Sequence, residues 1–303
     1  MSYAPVIVFT YKRPEHLQNL LSSLEQNIES KFTDLFIYID KADNPQDKSY
    51  NDEVINTANK EWNFKSMKIV VREKNFGLKN NITSGIDEIL SKYEKAIVLE
   101  EDLEVSTSFL NYMNTSLSTF KSNKKVWHIS GYSQSTIYEN STSSYFGQEM
   151  NCWGWGTWHD RWENIHKNFK NNLKNLDSRE IEKFNFYGLN KNNYNQILLN
   201  ENNTISTWAI FWYQTIFLNG GLCLNPSRSL VKNKGFDGSG EHNSTSNFYE
   251  INKVNDNYNI KFPKKVKKSK LYENLLKFEY LKYNIKNYFL YHLKKFSKKS
   301  FNL

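Results

Sequence analysis

Glu100, Glu101 and Asp102 form an unbroken acidic run directly after Ala96-Ile97-Val98-Leu99, the most apolar short run in the chain. Carboxylates in that place offer hard oxygen ligands to a hard divalent cation, whose remaining sites go to water and substrate. A cation held this way stabilises charge that grows on a phosphate oxygen as a bond to it breaks. A run of acids is otherwise a solvated face, so the elements around it decide its meaning. Glu104 lies two residues past the cluster and reads as a surface acid.

Those elements are strand-like runs alternating with helical periodicity through the first 130 residues, the pattern of βαβ units and a mainly parallel sheet. Val6 to Phe9 is followed by Pro14, suited to a first helical position, and by Leu17, Leu20, Leu21, Leu24 and Ile28 at helix spacing. Leu35 to Ile39 ends at Asp40 and the turn-like Ala42-Asp43-Asn44-Pro45. Met67 to Val71 leads through Asn75-Phe76-Gly77 into a helix carrying Ile82, Ile86, Ile89 and Leu90. The acidic run precedes a helix over Thr107 to Phe120. Each strand therefore ends in polar residues on one edge, and open α/β sheets bind ligands at that carboxyl edge. After Val126 to Ile129 the pattern changes. Ser130 to Ser144 reads as a loop, Trp153, Trp155, Trp158 and Trp162 crowd into ten residues, an apolar helix runs from Trp208 to Leu218, and Gly235 to Gly240 is a flexible loop.

With 39% hydrophobic and 16% aromatic residues among 303, the chain is folded rather than disordered. Met1 to Thr10 runs straight into a strand without the pattern of a signal peptide, and no apolar stretch of about 18 residues occurs. A cytoplasmic location is expected. Cys152 and Cys223 stand in neither CxxC nor zinc spacing and read as ordinary thiols. The net charge of +8 is uneven: residues 261–303 hold 13 Lys and 2 Glu, or +11, leaving −3 on the rest. That distribution argues against a nucleic-acid groove, and no nucleic acid is expected as a partner. In the tail Leu271, Leu275, Phe278, Leu281, Ile285, Phe289, Leu293 and Phe296 recur at three or four residues among lysines. Residues 264–303 thus predict an amphipathic helix lying on an anionic membrane surface. Its removal is expected to leave the site intact.

The segment Ala96-Ile97-Val98-Leu99-Glu100-Glu101-Asp102-Leu103-Glu104-Val105, followed by Phe109-Leu110-Asn111-Tyr112, resembles the acidic metal motif of the β-1,2-N-acetylglucosaminyltransferase I family of GT-A glycosyltransferases. The resemblance runs from Val6 to about His242 and is strongest at this motif. It implies a GT-A α/β fold with a mainly parallel mixed sheet, in a prokaryotic relative that uses a UDP-sugar and Mn2+ or Mg2+ and inverts the anomeric centre. Asp102 inherits the metal contact, and Glu101 and Glu100 inherit positions against the donor ribose and sugar. Asp40 takes the place of the aspartate facing uracil, its other reading being a turn residue, and Arg13 that of a nucleotide-contacting arginine. His242 corresponds to a late histidine returning to the metal on a glycine-flanked loop.

Other candidates come from the residues themselves. Lys79 offers a second cation to a diphosphate. Trp155 and Trp158, separated by small residues, suit a platform under a sugar ring, and Glu149 beside them suits sugar hydroxyls. One departure stands out: Ala209 in Trp208-Ala209 falls where the resembled family places its general base, and alanine takes no proton. Asp237 is the first substitute, with Glu241 and Glu149 behind it. The expectation is a transferase domain over 1–260, nucleotide-binding to about 130 and acceptor-binding beyond it, with a basic helical tail at 261–303. Its acceptor would be a surface glycan such as a lipopolysaccharide, capsule or other lipid-linked chain at the inner face of the cell membrane. The alternative is a catalytically silent nucleotide-sugar or glycan-binding protein.

Overall fold

A computed structural model describes residues 2–133, 144–168, 176–190, 192–238, 254 and 256–300. The first half alternates β1 (Val6–Thr10), α1 (Pro14–Glu25), β2 (Asp34–Ile39), α2 (Pro45–Ala58), β3 (Ser66–Val71), α3 (Gly77–Leu90) and β4 (Lys95–Glu100). Strand β5 (Leu103–Val105), helix α4 (Phe109–Thr119), and strands β6 (Val126–Ser130), β7 (Tyr145–Gly147) and β8 (Trp155–Trp158) follow. Short helices α5 (His159–Trp162), α6 (Ile165–Asn168), α7 (Ser178–Phe184) and α8 (Asn192–Glu201) lead to α9 (Ala209–Leu218), β9 (Leu222–Asn225), β10 (Val231–Asn233) and the long α10 (Lys270–Ser300).

The main sheet has the order β3-β2-β1-β4-β8-β6-β9-β7. Strands β1 to β4 are mutually parallel, β8 runs antiparallel between β4 and β6, and β7 is antiparallel to β9. This is the mixed, mainly parallel α/β sheet that the sequence pattern implies. The central strands β1 and β4 are apolar runs buried along almost their whole length because helices cover both faces. One face is packed by Leu17, Leu20, Tyr112 and Met113, the other by Ile82, Ile86, Trp212 and Ile216. Pro14 and Pro45 open α1 and α2, and Asn44 caps α2 by accepting the Asp47 N–H at 2.8 Å.

Register fixes where the strands stop. Thr10 pairs with Ile39 and Phe9 with Glu100. The ladder then extends one step: Asp40 N–H donates to Thr10 O, Arg72 N–H to Ile39 O and Glu101 N–H to Phe9 O, at 2.9–3.0 Å. Asp40, Arg72 and Glu101 therefore leave the sheet at one level. A two-stranded ribbon of β5 and β10 sits over this edge and brings Asn233 and the segment after it above the acids.

Two sequence expectations change here. Trp155 and Trp158 do not form a ligand platform, because a strand's two-residue period sends them to opposite faces of the sheet. Trp155 is fully buried against His128, Trp162, Trp208 and Trp212, while Trp158 is buried near Leu117, whose carbonyl accepts its indole N–H at 3.0 Å. Nor is the tail a detachable appendage. Tyr272, Leu276 and Tyr280 of α10 are buried with Tyr145 and Phe186, and Tyr272 stacks on Tyr145 at 3.7 Å. Among the described residues no helix is long and apolar enough to cross a membrane.

Candidate functional site

A cleft of about 470 Å3 opens at the carboxyl edge of β1, β2 and β4. Its floor carries Arg13, Asp40, Glu100, Glu101 and Asp102, so the structure gathers five of the predicted residues in one place. Glu101 is spent on architecture: its carboxylate accepts Tyr11 N–H at 2.9 Å, Arg13 Nε–H at 2.7 Å and the Thr10 hydroxyl. Arg13 Nη2 donates to Asp102 Oδ2 at 3.1 Å, which lays the guanidinium across the mouth of the acids. Burial works against the charge on Arg13, but Glu101 and Asp102 outweigh it and raise its pKa. Its Nη1 is buried with no hydrogen-bond partner among the described residues. An unpaired buried donor costs about 1–3 kcal/mol, a penalty that an anionic oxygen placed in the cleft would remove.

Glu100 has the opposite imbalance. Burial and the neighbouring charges of Asp102 and Glu101 push its pKa up to about 8, with Arg13 opposing only in part. Three carboxylates thus share one guanidinium, and the site favours added positive charge. Among the described residues no group of three or more His, Cys, Asp or Glu is placed to cage a metal ion. One carboxylate with substrate phosphates and waters is nevertheless the kind of set that suits Mg2+ or Mn2+, and partly exposed Asp102 fits that role. Gly235 overhangs it so closely that a side chain there would press into Asp102 Oδ2.

The strained acid has a measurable consequence. Unfolded Glu100 titrates near 4.5 and the folded residue near 8, so the native state holds the extra proton between these values. Stability linked to it is fully present below about pH 4.5 and is lost as pH rises through 8. Glu100→Gln is expected to raise the melting temperature of the ligand-free protein at pH 8.5, by a few degrees or about 1–3 kcal/mol, and to leave it unchanged near pH 4.5. Thermal unfolding at the two pH values measures this, and an equal shift at both would remove Glu100 as its source.

Asp40 is buried, and burial raises its pKa against the pull of the Phe76 and Lys41 N–H groups, which donate to Oδ1 at 2.8 and 3.1 Å. Asn51 locks this corner, its amide donating to Tyr11 O and Asp40 O at 2.6 and 2.8 Å. Lys79 stands outside the cleft lining with its ammonium 4.4 Å from the Phe211 ring. Asp237 is exposed and lies 3.3 Å from His16 Nε2 on α1, although Gly235 and Phe236 just before it do line the cleft. Glu149 lines a neighbouring pocket instead. Glu241 and His242 lie outside the described residues.

The sequence reading missed Trp153, Trp208 and Gln196 as cleft residues, which line it together with Ala209. Trp153 meets Tyr132 and Phe236 edge-on at 4.7 and 5.7 Å. It packs half-buried at the edge of the core, where Gly154, at φ +64°, turns the chain before β8 begins. The available signal was that tryptophan's place ahead of a glycine rather than inside the alternating strand. Stacked on Trp155, His128 is a neutral core residue, its pKa pushed down to about 3 by burial. Its Nδ1 accepts the Trp212 indole N–H at 3.2 Å, leaving Nε2–H to donate to Asn151 O at 3.1 Å and hold the segment entering the cleft.

No family model matches the chain, and no curated protein does. Among solved structures it is similar to a Desulfovibrio desulfuricans protein described as a nucleotide-diphospho-sugar transferase, with 10% identity and a TM-score of 0.32. That match covers 53% of this chain and 65% of the other, so the chain spans just under two thirds of that relative's length. It is also similar to a Bacillus anthracis protein described as a glucose-1-phosphate thymidylyltransferase in complex with sucrose, with 11% identity and a TM-score of 0.35, covering 54% of this chain and 75% of the other.

Proposed function

We propose that the chain is a nucleotide-sugar-dependent glycosyltransferase that moves a sugar from a UDP-sugar to a glycan acceptor with inversion. The observation that carries this reading is the cleft floor: Asp40, Glu100 and Asp102 collected at the carboxyl edge of parallel strands, with the unpaired Nη1 of Arg13 among them. In the reaction the bond between the anomeric carbon and a diphosphate oxygen breaks, and its electron pair leaves with UDP. The acceptor hydroxyl forms the new bond, and its proton passes to a carboxylate. Arg13 would receive the diphosphate, and Asp40 would accept from the uracil imide. Asp102 would hold Mn2+ or Mg2+, which supplies charge neutralisation on the leaving diphosphate. Ala209 lines the cleft where the resembled family has its base, so the base comes from Asp237, Glu241 or Glu149. The resemblance to the β-1,2-N-acetylglucosaminyltransferase I family belongs to this proposal. So do a lipid-linked surface-glycan acceptor and peripheral attachment to the inner face of the cell membrane.

Asp40→Asn keeps an oxygen for the Phe76 and Lys41 N–H groups but presents an amide where uracil would donate. It is expected to weaken UDP binding in manganese by about tenfold, roughly 1.4 kcal/mol, while weak ADP binding stays unchanged. Calorimetric titration with both nucleotides tests it, and equal losses would return Asp40 to a purely local turn role. Ala209 also supports a second reading, a silent binding protein. Donor hydrolysis measured with and without manganese separates the two.

A further inference from the structure

Beside the cleft lies a second pocket of about 270 Å3, which shares Cys152, Trp153, Gln196 and Ala209 with it. Its lining differs in kind. Among the described residues Glu149 is its one acidic side chain, accompanied by four tyrosines, including Tyr272 and Tyr280 of α10, and by amides such as Asn193 and Asn225. The cleft has Arg13, whereas among the described residues no Lys or Arg lines this pocket. A phosphate or carboxylate entering here would lose hydration with no lining cation among the described residues to compensate it. A neutral polyol would instead find a carboxyl, phenol hydroxyls, amides that both donate and accept, and aromatic faces for its C–H surface.

The pocket is built rather than incidental. Burial pushes the Glu149 carboxyl up to about 8, with Lys268 and the Tyr280 hydroxyl pulling it back only in part. Tyr272 is fixed by its stack on Tyr145, and Tyr280 by Phe186 at 5.4 Å. The wall is therefore the packed face of α10, a helix whose sequence reads as a membrane tail.

We propose that this pocket binds a neutral, unphosphorylated sugar residue through Glu149, with α10 as its wall, next to the cleft that takes the nucleotide. Calling that sugar the acceptor rests on the transferase reading; its binding does not. The experiment is saturation-transfer NMR on the full chain with methyl β-glucoside, methyl β-galactoside and methyl β-N-acetylglucosaminide, each compared with glucose 6-phosphate. At least one methyl glycoside is expected to show saturation of its ring protons, to keep it under excess UDP and manganese, and to bind at least tenfold more tightly than the phosphate. Glu149→Gln, nearly the same shape, is expected to weaken that glycoside at least tenfold and UDP less than twofold. Tyr280→Phe, which removes one hydroxyl, should weaken it three- to fivefold. No signal from any glycoside, displacement by UDP, equal binding of glucose 6-phosphate, or indifference to both variants would each overturn the proposal. Glycoside binding in a protein that takes up no UDP would keep the pocket and remove the transferase reading.

Discussion

Asp102→Asn is expected to lower UDP affinity in the presence of manganese by at least about 100-fold, close to 2.7 kcal/mol, and to abolish the difference that manganese makes. The substitution changes little volume, and the Asp102 backbone carbonyl still accepts the Lys234 N–H at 2.7 Å, so the melting temperature should move by only a few degrees. What disappears is the cleft's partly exposed carboxylate, which meets Arg13 at 3.1 Å and sits under Gly235. Calorimetric titration of UDP with and without manganese checks the result. An unchanged metal requirement would move the ligand role to Glu100, whose unbalanced charge is the next best place for a cation.

The second large effect concerns the tail. Removing residues 264–303 strips Tyr272, Leu276 and Tyr280 from a buried cluster, and deleting large buried side chains costs about 2–5 kcal/mol each. Against a typical total of about 5–15 kcal/mol, that truncation should yield aggregated protein rather than a clean folded fragment. Ending the chain at residue 286 keeps the packed face. It removes Lys294, Lys295, Lys298 and Lys299, and at about 1 kcal/mol per lysine near an anionic surface, vesicle binding should fall at least about tenfold. The helix is suited to this division of labour. Leu271, Phe278, Leu281, Ile285 and Phe289 are 47–62% exposed, and at 100° per residue they fall on the side opposite Tyr272, Leu276 and Tyr280. Co-sedimentation with phosphatidylglycerol vesicles and unfolding curves of the two truncations test both halves. A stable, monomeric 1–263 fragment would show that α10 contributes little to folding.

Much of this organisation was legible from residue order because it follows from local rules. Continuous apolar runs ending in Thr10, Asp40 and Glu100 describe strands buried on both faces, and parallel pairing then requires their polar ends to share an edge. Hence Asp40 and the three acids were legible as polar strand ends on one edge, while Arg13 and the uracil-facing reading of Asp40 came from the family resemblance; the structure sets all five around one cleft. Which partner each of them finds was not legible: Glu101 is consumed by Thr10, Tyr11 and Arg13, leaving Glu100 unbalanced, and that depends on side-chain directions across strands far apart in sequence.

The aromatic and C-terminal segments mark the other limit. Four tryptophans within ten residues announce a large apolar surface but not whether ligand or protein covers it. Strand parity, the left-handed Gly154 and the helices over both faces bury Trp155 and Trp158 while leaving Trp153 in the cleft. Likewise, amphipathic spacing shows that α10 has apolar surface, yet only its docking against Tyr145 and Phe186 divides that surface into a pocket wall and an exposed stripe. Periodicity along a chain reports that surface needs covering; what covers it is chosen by contacts between segments far apart in the sequence, which no local pattern encodes.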